Sequence, residues 1–205
     1  MPNFHNSLWG EEEDNKSFLA FFLAIVIMFV AVFGLRFFIS SNFSGVVVDG
    51  ASMQQTLYSG EKLLMRRFSE ERGANRGDIV VIKKSNVPEE EYIIKRLIAT
   101  GGDKLYCKQG TIYICYQGTE EYVQLDEPYA YYYKNKNDYS FASQENPYVV
   151  AEGGIFYLGD NRQNSQDSQE EYESETGVLY QTTDIYGVVE DWALAYQKPL
   201  EWIFF

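Results

Sequence analysis

The chain has 205 residues, a formal net charge of −13 and 17 tyrosines. A surface of that sign repels phosphate backbones, which excludes nucleic acid as a partner. One histidine and two cysteines cannot supply the four ligands of a structural zinc site, and no other metal or cofactor is expected.

Residues 1–17 are polar and acidic and read as a short disordered tail. Phe18 to Leu35 then carries no charged residue. As a helix at 1.5 Å per residue it would reach about 27 Å, close to the hydrocarbon core of a bilayer. With Arg36 and the aromatic Phe37 and Phe38 behind it, residues 18–39 are predicted to be a transmembrane anchor in a lipid bilayer. A cleaved leader would begin with a basic region, whereas Glu11 to Asp14 precede this one, so the anchor is predicted to be retained. Lys16 and Arg36 flank it evenly, and their charges do not orient it. His5 lies ahead of the anchor, so a serine or cysteine nucleophile in residues 40–205 would need Lys, Asp, Glu or Tyr as its base.

About 165 residues follow the anchor, enough for one domain or for a core sheet carrying an inserted lobe. The aromatic and β-branched content predicts a mostly β fold. After a small-residue link, Ser40 to Gly45, a first strand is expected at Val46 to Val48, ending at Asp49-Gly50. Ser52 falls where this strand gives way to a turn, a common place for a serine. Further strands are expected at Glu61 to Arg67, Ile79 to Ile82 and Tyr92 to Ile98, with a loop from Lys83 to Glu91. Alternation along the third of these puts Lys95 on the same face as Ile93 and Leu97. Two readings fit: an edge-strand lysine that blocks aggregation, or a desolvated amine whose charged form is disfavoured.

A hairpin is expected from Leu105 to Tyr116, turning at Gln109-Gly110. Its register opposes Cys107 to Ile112, so a disulfide to Cys115 would require a different pairing. From Gln117 to Ala151 the chain is irregular and rich in tyrosine, either a loosely packed lobe or a surface for membrane or substrate. Ile155 to Leu158 reads as a strand and Gly159 to Ser168 as a polar loop suited to a site. An acidic linker, Glu170 to Thr176, and one or two last strands within Asp184 to Tyr196 complete the reading.

Ser52-Met53, Lys95-Arg96 and the Gly159 to Ser168 loop, in that order behind an N-terminal anchor, resemble the sequence boxes of bacterial type I signal peptidases. Arg76-Gly77-Asp78, Gly102-Asp103 and Ile185-Tyr186-Gly187 extend the likeness over most of residues 46–190. The resemblance implies a domain of coiled antiparallel sheets outside the cytoplasmic membrane, with an inserted lobe near residues 108–150. It implies a membrane-bound serine endopeptidase that removes signal peptides from exported preproteins through an acyl-enzyme. Ser52 would be the nucleophile, Lys95 the general base, and Ser165 the residue that hydrogen-bonds the lysine amine. Asp160, Arg162 and Asp167 would form a salt-bridged frame below the site, with Arg96 structural. Substrate would lie along Val46, Val48, Asp49, Gly50 and Met53, with small residues at the first and third positions before the cleaved bond. Three positions depart from the family pattern: Gln55 and Gly101 stand where proline is usual, and Gln169 where an arginine would pair with Asp167. The hydroxyl that some relatives place two residues before the nucleophile is missing at Gly50. Rival readings are an inactive assembly factor of the same fold and a membrane-tethered binding module.

Overall fold

The computed structural model describes residues 7–84, 90–173 and 180–198, and the chain divides into two units between Asn42 and Phe43. The first unit is one helix, α1 (Ser7–Asn42). It begins ahead of the apolar run, so residues 7–17 are helical where a disordered tail was expected. Once an apolar stretch is helical the nucleation cost is met, and glutamates such as Glu11 to Glu13 propagate the helix readily. At the other end the Ser40 hydroxyl donates to the Phe37 carbonyl (3.1 Å) and the Asn42 amide to that of Phe38 (2.8 Å). These bonds satisfy two terminal carbonyls and carry the helix past the predicted stop at Ile39.

The second unit begins without a linker. Strand β1 (Phe43–Val47) is followed by β2 (Lys62–Arg67), β3 (Ile79–Lys84), β4 (Glu91–Thr100), β5 (Lys104–Lys108), β6 (Thr111–Cys115), β7 (Val123–Gln124), β8 (Tyr148–Val149) and β9 (Ile155–Leu158). Helix α2 (Ser168–Glu173), strand β10 (Ile185–Val189) and helix α3 (Asp191–Ala195) complete it. The strands form two antiparallel sheets, one ordered β1-β2-β10-β3-β4-β9 and one ordered β7-β6-β5-β8. A mostly β, antiparallel fold is therefore observed. Helix α2 takes the start of the expected acidic linker, and α3 replaces a second closing strand. Of the loop expected between Lys83 and Glu91, residues 85–89 lie outside the described residues.

The β5–β6 hairpin has the predicted register, with Cys107 opposite Ile112 and Lys104 opposite Cys115, and both cysteines are free and buried. Its residues Leu105, Ile112 and Ile114 pack with Ile98, Phe156 and Leu158 of β4 and β9. Each such side chain contributes about 1.5–3 kcal/mol, so the lobe shares its core with the main sheet. Arg76, from the turn before β3, grips the fully buried Asp103 with two bonds of 2.7 and 2.9 Å. Two sequence motifs distant in the chain thus become one ion pair at the base of the lobe.

Candidate active site

Strand β4 lies inside the main sheet, between β3 and β9, so Lys95 is no edge-strand guard. Burial leaves Lys95 only 5% exposed, and its strand neighbours Ile93 and Leu97 join an apolar cluster with Val80, Ile82 and Tyr157. Its Nζ lies 2.8 Å from Ser52 Oγ. Residues 43 positions apart in sequence thus meet in one hydrogen bond.

Ser52 sits in a turn after β1 closed by Gln54 N–H to Ala51 O (3.1 Å) and Leu57 N–H to Met53 O (2.8 Å). Met53 and Leu57, each 2% exposed, anchor that turn in the cluster of Val48, Leu63 and Ile79. Gln55 adopts φ +84°, a left-handed conformation outside the range of proline, whose ring holds φ near −65°. The proline usual in the resembling family does not fit the turn this chain has adopted.

The loop after β9 passes directly beneath Ser52. A Cβ on Gly159 would overlap Ser165 Oγ and stand 2.5 Å from the Ser52 carbonyl oxygen, so only glycine permits this approach. Asn161 N–H donates to that same carbonyl at 2.9 Å. Asp160 receives Arg96 through two bonds of 2.8 and 2.6 Å, and also the Thr56 hydroxyl at 2.6 Å. Arg96 is thereby the partner of the site loop, and its guanidinium lies 3.8 Å from the centre of the Tyr129 ring.

Arg162 belongs to a salt bridge as expected, but its partner is Glu127 of the lobe, through bonds of 3.1 and 2.5 Å. The lobe main chain joins the loop too, with Tyr131 N–H donating to Asp160 O (2.7 Å) and Arg162 N–H to Tyr131 O (3.0 Å). Of the clustered tyrosines, Tyr129, Tyr131 and Tyr132 are half-buried against this loop and only Tyr133 is exposed. Through these contacts they tie the lobe to the site loop, so the lobe is not loosely packed. Glu127 did not stand out in the sequence, because nothing local separates it from Asp126 or Glu121, and Tyr129 was legible only as one of a tyrosine cluster, not as the partner of Arg96.

Two expectations for the loop change. Ser165 Oγ is buried, lies close enough to the Asp167 carboxylate to favour its charged form, and makes no bond to the Lys95 amine among the described residues. Packed against the Gly159 backbone, it acts here as a spacer. Asp167 forms no salt bridge among the described residues; it accepts the N–H groups of Gly159 (3.1 Å) and Gln169 (3.2 Å). The residue that could have paired with it is Gln169, which has no charge.

Burial pushes the Asp167 carboxyl up to about 6, while the Gly159 N–H, the Ser165 hydroxyl and the charge of Lys95 pull the other way. The folded chain therefore holds this proton over a range, from about 4 to about 6, where the unfolded chain has released it. Stability from this group is complete below that window and is lost as pH rises through it, by up to about 3 kcal/mol. Urea unfolding of the detergent-solubilised protein at pH 4 and pH 7 checks this. The Asp167→Asn variant should gain on wild type by that order as pH rises, and a difference that does not change with pH would contradict the shift.

At the open edge of the sheet, Val48 engages both main-chain groups inward, its N–H to Glu61 O (2.8 Å) and its carbonyl to Gly60 N–H (2.9 Å). Because main-chain groups alternate sides along a strand, the outward-facing ones belong to Val47 and Asp49. Val48 and Met53 offer buried side chains instead, Val46 is partly buried, and Gly50 turns the chain at φ +89°. Of the strand residues expected to meet substrate, Asp49 thus turns its main-chain groups outward, whereas Val46 and Val48 turn theirs toward β2.

The family model "Signal peptidase, peptidase S26" matches residues 18–191. Signal peptidase I P of Bacillus subtilis subsp. natto is 31% identical over 183 residues, covering 88% of this chain and 91% of that protein. Signal peptidase I of Bacillus caldolyticus is 35% identical over 143 residues, covering 66% of this chain and 72% of that protein. A crystal structure of a signal peptidase I from Enterococcus faecalis V583 aligns with a TM-score of 0.42 at 26% identity, covering 57% of this chain and 97% of that one.

Proposed function

The chain belongs to the signal peptidase family, peptidase S26, a family of serine endopeptidases, and from that premise we propose that it cleaves signal peptides with a Ser52–Lys95 dyad. The observation that carries this reading is the 2.8 Å approach of Lys95 Nζ to Ser52 Oγ in a domain that contains no histidine. Neutral Lys95 accepts the Ser52 hydroxyl proton as Oγ attacks the scissile carbonyl carbon. The ammonium so formed returns the proton to the leaving amine when the C–N bond breaks, leaving an acyl-enzyme on Ser52. Water, deprotonated by the same amine, then hydrolyses the ester. The charge on the tetrahedral oxygen is met by the Ser52 N–H.

The substrate is an extended segment of an exported preprotein, added as a further strand to the outward main-chain groups of Val47 and Asp49. In such a strand the first and third residues before the cleaved bond share one face. That face meets the apolar turn around Val48 and Met53, so both residues must be small. A panel of preproteins varied at these two positions tests this: alanine should be cleaved, and efficient cleavage after leucine or phenylalanine would overturn it.

Helix α1 has one stretch, Lys16–Asn42, long and apolar enough to cross a membrane. It anchors the enzyme in the cell membrane with residues 40–205 on the outer side, where exported segments emerge. Protease added to intact protoplasts should digest those residues, whereas full protection would reverse the orientation.

A further inference from the structure

We infer that Asn161 is a positioning residue that aims the oxyanion donor of this enzyme, a role that rests on the reading of Ser52 as nucleophile. Asn161 holds two consecutive carbonyls of the nucleophile turn. Its main-chain N–H donates to Ser52 O at 2.9 Å, and its side-chain Nδ2 donates to Ala51 O at 3.1 Å. The second contact matters for catalysis because of peptide geometry. The Ala51–Ser52 peptide is trans, so the Ala51 carbonyl and the Ser52 N–H point in opposite directions from one rigid plane. Pulling Ala51 O toward Asn161 turns the Ser52 N–H away from the loop, and that N–H has no acceptor among the described residues. Gln54 N–H also binds Ala51 O, but it lies within the same turn and cannot hold the plane against the rest of the protein.

Asn161 is itself well held. It is 2% exposed, and the flanking Asp160 O and Arg162 N–H are both bonded to Tyr131 of the lobe. The Asp160 carboxylate, bonded to Arg96 and Thr56, fixes the neighbouring residue from the other side. The dependence on one donor is greater here because residue 50 is glycine and supplies no hydroxyl. Loss of an oxyanion donor costs about 100- to 1,000-fold in turnover, and a donor left in place but free to rotate should cost less.

The experiment compares wild type with Asn161→Ala and Asn161→Asp on one preprotein in detergent. Asn161→Asp keeps the side-chain shape but faces Ala51 O with an oxygen, so it remains informative if the alanine variant folds poorly. Both should lower kcat about 10- to 100-fold with KM within about twofold of wild type. A substrate-like peptide aldehyde, whose adduct with Ser52 places an oxygen in the oxyanion position, should bind more weakly by a similar factor. Binding of the uncleavable product peptide should not change. A kcat within about threefold of wild type in the folded Asp variant overturns the inference. So does equal weakening of aldehyde and product peptide, which would mean that the cleft itself has shifted. Neither result touches the dyad, whose failure would show instead as cleavage by Ser52→Ala.

Discussion

Ser52→Ala is expected to reduce preprotein cleavage to background, a loss on the order of a million-fold if the serine acts as a unit with its base. The Lys95 amine is bonded to the Ser52 hydroxyl, whereas Thr56, in the same turn, gives its proton to Asp160. The variant should fold normally. Ser52 is partly exposed, its turn is closed by main-chain bonds, and Met53 and Leu57 keep that turn in the core. The measurement is turnover of a labelled preprotein by purified protein, with a thermal melt as the folding control. Turnover within tenfold of wild type would remove Ser52 from the mechanism. An unreactive wild type would favour an assembly factor or a binding module of the same fold.

The Lys95 variants test the other half of the dyad. An unperturbed lysine is almost wholly protonated at neutral pH, so the wild-type rate should climb with pH as neutral amine accumulates. Lys95→Met keeps the apolar stem that packs among Ile93, Leu97 and their neighbours but has no lone pair to accept the Ser52 proton. It should fold and be inactive by about 10³-fold or more, and its residual rate should lose the rise with pH. Lys95→Arg keeps the charge but cannot deprotonate in the working range, so it should be equally inactive. Near wild-type cleavage by Lys95→Arg would sink the Ser-Lys mechanism and shift the proton transfer to a carboxylate or tyrosine. A pH–rate profile of all three proteins, on one substrate at fixed ionic strength, decides it.

Much of this protein was legible because the relevant physics is local. An apolar run long enough to cross a bilayer must be helical there, since no water is present to satisfy its peptide groups. Strands β2, β3, β4 and β9 announced themselves through short β-branched runs bounded by turn residues, and Gln109-Gly110 set the register that keeps Cys107 and Cys115 apart. The lack of a histidine beyond the apolar segment excluded imidazole chemistry before any fold was known. Tertiary structure alone decided the rest. Whether Lys95 guards an edge or is buried depends on where β4 falls in the strand order, and alternation within one strand carries no information about its neighbours. The partners of Arg162 and Arg96, Glu127 and Tyr129, come from an irregular lobe whose course follows from packing against β4 and β9, with no periodic pattern to read. The role of Asn161 is of the same kind: two hydrogen bonds to a turn about 110 residues earlier exist only because Gly159 lets the loop pass that close beneath Ser52.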